Sequence, residues 1–170
     1  LKGRVPDNWD ELVAGWRDRD YLLGGGLSCE HWCFGVVRLV GLESALVMIR
    51  DAPEFLRLIM NDLTEFWVAL LDQVFRDVVP DRITVGGDFC YKAGPMMSPA
   101  AFREFMFPGM QAIASIAREY GVPSVMVHGC GNTRQLLPMF VESGVTGSHP
   151  FDVVEGQDIV EVRKAFPDFQ

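Results

Sequence analysis

Positive charge is scarce in this sequence: its 170 residues carry 15 Lys and Arg against 23 Asp and Glu, a net charge of −8. Nucleic acids and anionic membranes are gripped by concentrated Lys and Arg. Neither is an expected partner, and a small-molecule substrate is. No apolar run approaches the roughly 18 residues that suggest a membrane span. Residues 1–20 have neither an apolar signal region nor a basic lead, so the expected compartment is the cytoplasm. Cysteine is sparse: Cys29, Cys33, Cys90 and Cys130 fall short of a secreted disulfide scaffold and read as reduced thiols. No strand is followed by G-x-G-x-x-G or by a glycine-lysine phosphate loop, which leaves a nucleotide-binding fold without support. Linkers, low-complexity tracts and repeats are also missing.

What is there is apolar: 49% of residues are hydrophobic and only 22% charged, enough for one good core and against disorder. Residues 5–20 carry Trp9, Leu12, Val13 and Trp16 at helical spacing, with Asp7 or Asn8 as cap. Residues 21–27 read as a buried strand. If residues 28–35 continue extended, Cys29, His31 and Cys33 share a face. Mixed three- and four-residue spacing over 36–49, broken at Gly41, predicts two short helices. Asp51 and Glu54 have capping-box spacing ahead of a long amphipathic helix through Val74, ended by Pro80. A strand over 82–87 then delivers Asp88 to Lys92 into a loop.

Ser98-Pro99 reads as an N-cap followed by proline at the first helical position. The helix it opens runs to about Tyr120, kinked at Pro108 and stopped by Gly121. A strand over 122–127, a helix over 132–143 closed by Gly144, a strand over 145–148 and a helix over 157–165 complete the chain. Strand and helix alternate, the signature of an α/β protein with a parallel sheet. Closed barrels and open doubly wound sheets both bind ligands at the carboxyl ends of strands. A barrel needs about 250 residues. If the fold is a barrel, residues 1–170 form one incomplete domain of it.

Reactive residues gather just after the predicted strands. His128-Gly-Cys130-Gly-Asn132 follows an apolar run, and in an extended backbone side chains i and i+2 point the same way. An imidazole and a thiol so placed are ligands for zinc; the competing reading is a buried His and Cys in a tight turn. Asn132 reads as a helix N-cap. Asp88 is the candidate carboxylate at the mouth, for a substrate or an imidazole, with a loop-capping Asp as the rival reading. His149 ends the next strand, and adjacent strands lie about 4.8 Å apart, so it is a candidate third ligand or acid/base. Tyr91 and Lys92 are candidates for an anionic group and His31 for facing substrate. Asp152 and Glu155 read as solvated loop charges.

Four passages carry a family likeness: residues 34–43, Asp51-Ala-Pro-Glu54, residues 87–107 (GDFCYKAGPMMSPAAFREFMF) and residues 127–144 (VHGCGNTRQLLPMFVESG). In them the chain resembles the uroporphyrinogen decarboxylase superfamily, whose (β/α)8 barrels include the tetrapyrrole decarboxylase and the zinc-dependent methyltransferases that take methyl groups from corrinoid proteins. The Ser-Pro-x-x-Phe-x-Glu-Phe helix start is the most telling for the superfamily, and His128-x-Cys130-Gly points to the methyltransferase branch. There the matching His and Cys are zinc ligands, and a second Cys arrives near the end of the barrel.

The resemblance implies a partial (β/α)8 barrel whose early and closing segments are not in these residues. It implies Zn2+ on His128 and Cys130, a corrinoid protein as partner, and methyl transfer to a thiol-type acceptor. The alternatives it implies are a metal-independent decarboxylase of uroporphyrinogen or another polycarboxylate, and a non-catalytic corrinoid- or tetrapyrrole-binding module. The arginine segment that holds substrate carboxylates in the decarboxylase has no match here.

Overall fold

Along Arg82-Ile-Thr-Val an exposed or half-buried residue alternates with a fully buried one, as a strand with one covered face must, and buried Gly86 follows. This strand is β2 of a computed structural model that describes residues 6–24, 28–29 and 31–170. The elements are α1 (Trp9–Arg17), β1 (Ser28–Cys29), a π-helical turn (Trp32–Val37), α2 (Arg38–Val40), α3 (Leu42–Asp51), α4 (Pro53–Asp77) and β2 (Arg82–Gly86). A small hairpin, β3 (Cys90–Tyr91) and β4 (Gly94–Pro95), leads to α5 (Pro99–Ala101), a second π-helical turn (Phe102–Met106) and α6 (Phe107–Glu119). Then come β5 (Ser124–His128), α7 (Leu137–Ser143), β6 (Gly147–His149), a 3-10 turn (Val153–Glu155) and α8 (Ile159–Ala165).

The main sheet has four parallel strands in the order β1-β2-β5-β6, the order of the chain itself. Thr84 lies opposite Met126, Gly86 opposite His128, and His128 opposite His149. Aligned residues share a face, so Arg82, Thr84, Ser124, Met126, His128 and His149 lie on one side. Ile83, Val85, Val125 and Val127 lie on the other. That second side is buried in one cluster with Leu56, Met60 and Phe75 of α4, Ile113 and Ala117 of α6, and Phe140 of α7. The first side is polar. Past β6 the backbone of Gln170 donates to Thr146 O (2.8 Å) and accepts from Ser148 N (3.0 Å), the bonds of a further parallel neighbour.

The local chemistry explains most boundaries. Pro53 opens α4, whose buried face is Leu56, Met60, Leu71, Val74 and Phe75. Asp51 does not cap it: the residue is the last of α3, and Ala52 stands at the junction. Ser98 does cap, its Oγ accepting from Ala101 N at 3.1 Å. Ser98→Ala is expected to cost about 1 kcal/mol, read as a thermal midpoint lower by about 2–4 °C. Where the sequence predicts a kink at Pro108, the structure has a π-helical turn running directly into α6, with Pro108 in the first turn of α6. A proline has no N–H for the ladder, and the wider turn absorbs that missing bond.

Two further expectations are corrected. Residues 22–24 are not a strand, Tyr21 and Leu22 are exposed, and the strand begins at Ser28; residues 25–27 lie outside the described residues. The run after Cys29 is not extended either, because Trp32 to Val37 is helical. Cys29, His31 and Cys33 therefore do not line one strand face. No helix among the described residues is long and apolar enough to cross a membrane.

Candidate metal centre

β2 ends in Gly86, which Gly87 follows, both at positive φ, and the turn carries Asp88 over the end of β5. A Cβ on Gly86 would stand 2.5 Å from His128 O, so only glycine permits this approach. Gly87 N also donates to His128 O at 3.0 Å. The turn is thus tied to the residue it must face. Below it, Phe89 packs edge-on against Phe102 and Phe140, with centroids 5.3 and 5.8 Å away. This apolar floor underlies both the Asp88 turn and the loop after β5, since Gly129 sits against the Phe89 ring.

On that floor three donors converge. His128 Nε2 is 3.5 Å from Asp88 Oδ1 and 3.7 Å from Cys130 Sγ. One ligand atom from each of Asp88, His128 and Cys130 lies within 4.8 Å of the other two. Cys130 N donates to Asp88 Oδ1 at 3.4 Å, a second tie between the two loops. Imidazole, thiolate and carboxylate are all zinc ligands. Burial, then the hydrogen bond and charge of Asp88, then the charges of Asp152 and Glu155 push the Cys130 thiol up to about 11. A thiol kept protonated by burial and by nearby carboxylates is a poor free nucleophile. The same carboxylates favour a cation.

His149 stands beside this group without joining it. Its ring meets that of His128 edge-on at 5.1 Å, and its Nε2 is buried with no hydrogen-bond partner. Burial lowers its pKa, helped by the charges of His128 and Arg82. Tyr91 and Lys92 are exposed on the β3–β4 hairpin, at the rim. The hairpin is held to the site by Asn132 N, which donates to Tyr91 O at 3.0 Å. Gly131, at φ 85°, makes this approach possible: a Cβ there would lie 2.7 Å from Tyr91 N. Gly131→Ala is expected to destabilise by about 1–3 kcal/mol, read in urea midpoints.

His31 is elsewhere. It is 2% exposed, and its Nε2 would be 3.0 Å from a Cβ on Gly109 of α6, beside Thr64 of α4. The expectation that it faces substrate is corrected, because the helical turn that replaces the extended run carries it into the core. Among the described residues no second metal-ligating group forms around Cys29 and His31. Cys90 is also buried, and desolvation with the charge of Glu155 pushes its thiol up to about 12.

Asn132 is not a helix cap. Its Oδ1 accepts from Arg134 N and its Nδ2 donates to Glu155 O at 3.2 Å. α7 starts only at Leu137, since Pro138 has no place in the interior of a helix begun at Asn132. Glu155 is no solvated loop charge either: its Oε2 is buried and without a hydrogen-bond partner. Nothing in the local sequence signals this, because the contact closes across two loops.

In this parallel α/β unit a carboxylate, an imidazole and a thiol converge at the carboxyl edge of the sheet, the edge at which folds of this class bind ligands. The family model for Uroporphyrinogen decarboxylase (URO-D) matches residues 36–166, and the chain belongs to that family. No curated protein and no solved structure matches the chain.

Proposed function

We propose that this protein is a zinc-dependent methyltransferase that moves a methyl group between a corrinoid carrier and a thiol-type acceptor. One observation carries the reading: donor atoms of Asp88, His128 and Cys130 lie mutually within 4.8 Å at the carboxyl ends of β2 and β5. The orphaned Nε2 of His149, whose ring packs against that of His128, fits a site that expects a further ligand. When bound, zinc supplies Lewis acidity that keeps a substrate thiol as thiolate at neutral pH.

The protein residues have separate tasks in this reading. His128, Cys130 and Asp88 hold the metal, and the Gly87 and Cys130 amides fix the two ligand loops against each other. His149 packs against His128 and restrains its ring. The Phe89, Phe102 and Phe140 rings keep water from the underside. Tyr91 and Lys92 at the rim are positioned for an anionic group of the substrate.

We also infer a (β/α)8 barrel. Its support is the strand order, which follows the chain without the reversal of a doubly wound sheet. The apolar packing on one sheet face and the polar residues on the other, His128 and His149 among them, agree with an outer helix layer and a lumen.

The test is demethylation of methylcobalamin by a small thiol, followed by the absorbance of the corrinoid product. Zinc-dependent turnover that a chelator stops is the expected result. Metal-free release of carbon dioxide from a porphyrinogen, with no methyl transfer, would replace this reading with the decarboxylase.

A further inference from the structure

β5 ends at His128 and α7 begins only at Leu137, so the loop that carries Cys130 leaves the sheet without the ladder of a strand or a helix. Gly129, Gly131 and Thr133 in that loop are nevertheless buried, and buried backbone groups need partners. Neighbouring loops supply them. Gly129 N donates to His149 O at 3.0 Å, Cys130 N to Asp88 Oδ1 at 3.4 Å and Asn132 N to Tyr91 O at 3.0 Å. The Gly131 carbonyl and the polar groups of Thr133 remain, and one side chain serves both.

That side chain is Gln157, which lies between the Val153–Glu155 turn and α8 and is 3% exposed. Its Nε2 donates to Gly131 O at 2.7 Å, and its Oε1 accepts from Thr133 Oγ1 at 2.8 Å and from Thr133 N at 3.4 Å. The task needs a donor and an acceptor on one planar, uncharged group, which a primary amide provides. Gln157 grips the chain one and three residues beyond Cys130, while Asp88 holds the Cys130 amide on the other side. The backbone that aims the thiol is thus fixed from both directions. Cys130 Sγ stands 3.7 Å from His128 Nε2 as a result.

We propose that Gln157 is a positioning residue of the metal centre: by clamping Gly131 and Thr133 it holds the Cys130 thiol where one ion can take Cys130, His128 and Asp88 together. The inference rests on the metal-site reading above and names the residue that keeps the site in shape before the ion arrives. Without the amide, Gly131 O and Thr133 Oγ1 lose their partner, the loop relaxes to recover one, and the thiol leaves its place.

Cobalt(II) makes this measurable, because zinc has no d–d spectrum and cobalt accepts the same ligand types. The protein is titrated with cobalt against a chromogenic chelator, and the thiolate-to-cobalt charge-transfer band is recorded. Gln157→Leu is expected to bind cobalt about 10–100-fold more weakly than wild type, with a weaker band. Thr133→Val, which removes one bond of the clamp, should move both readouts the same way by less, and Thr133→Ser, which keeps the hydroxyl, should restore them. Ser98→Ala controls for stability alone: its melting temperature falls while affinity and band stay at wild-type values. A Gln157→Leu protein that melts lower yet binds cobalt with the wild-type affinity and band would overturn the proposal. If Gln157→Leu does not fold, the Thr133 pair decides, and wild-type cobalt binding by Thr133→Val would overturn it equally. A wild-type protein with no charge-transfer band would instead remove the metal site on which the proposal rests.

Discussion

Cys130→Ala is expected to weaken zinc binding by at least 100-fold and to abolish methyl transfer while leaving the fold intact. A 100-fold loss corresponds to about 2.8 kcal/mol, a reasonable size for one anionic ligand. Cys130 is only partly buried, so its truncation opens no core cavity. Cys90→Ala is the matched comparison. That thiol is buried beside the same loop but does not belong to the converging donors, so its loss should cost about 1 kcal/mol of stability and little metal affinity. Chelator competition and urea unfolding on both variants read the two effects apart. Equal zinc affinities would contradict the assignment of Cys130 as ligand.

The second large effect is a loss of stability in mild acid, traced to His31. In the folded protein burial holds its pKa down to about 4, and a hydrogen bond with the Cys29 backbone offsets only part of that. In the unfolded chain it titrates near the ordinary value of 6.5. Between those values the unfolded state binds more protons, so stability is fully present above pH 6.5 and falls as the pH drops toward 4. The window spans about 2.5 units, which at 1.36 kcal/mol per unit gives about 3 kcal/mol as the upper limit.

Carboxylates titrate in the same range, so the isolating measurement is a difference. Urea unfolding of wild type and His31→Phe at pH 7 and pH 4.5 should show the variant losing less stability than wild type, by about 2–3 kcal/mol. Identical losses would mean that His31 is not held neutral by burial.

His31 also marks where the sequence stops being readable. Its alternation with Cys29 and Cys33 is real on paper, but the backbone turns helical at Trp32 and the imidazole ends against Gly109. Long-range packing decided that, and no local pattern announces it. Asp51 failed as a cap for a similar reason: its preceding helix runs straight into it. By contrast, His128 and Cys130 do meet as their two-residue spacing suggests, though Cys130 lies in the loop just past the end of β5, and Ser98-Pro99 capped its helix as its chemistry dictates. The proximity of Asp88 was visible only as a position after a strand. Its contact with His128 depends on Gly86 and Gly87 folding the chain back over β5. Glu155 was unreadable because its place is set by Asn132 and Gln157, amides whose partners lie more than twenty residues away.

Everything in the functional reading depends on one metal ion at the carboxyl edge of β2 and β5. Elemental analysis of protein equilibrated with zinc and then dialysed tests it most directly. One zinc per chain is expected in the wild type, and close to none in a His128→Ala, Cys130→Ala double variant whose circular dichroism matches the wild type. A wild-type protein without zinc, or a double variant that keeps it, would contradict the metal centre.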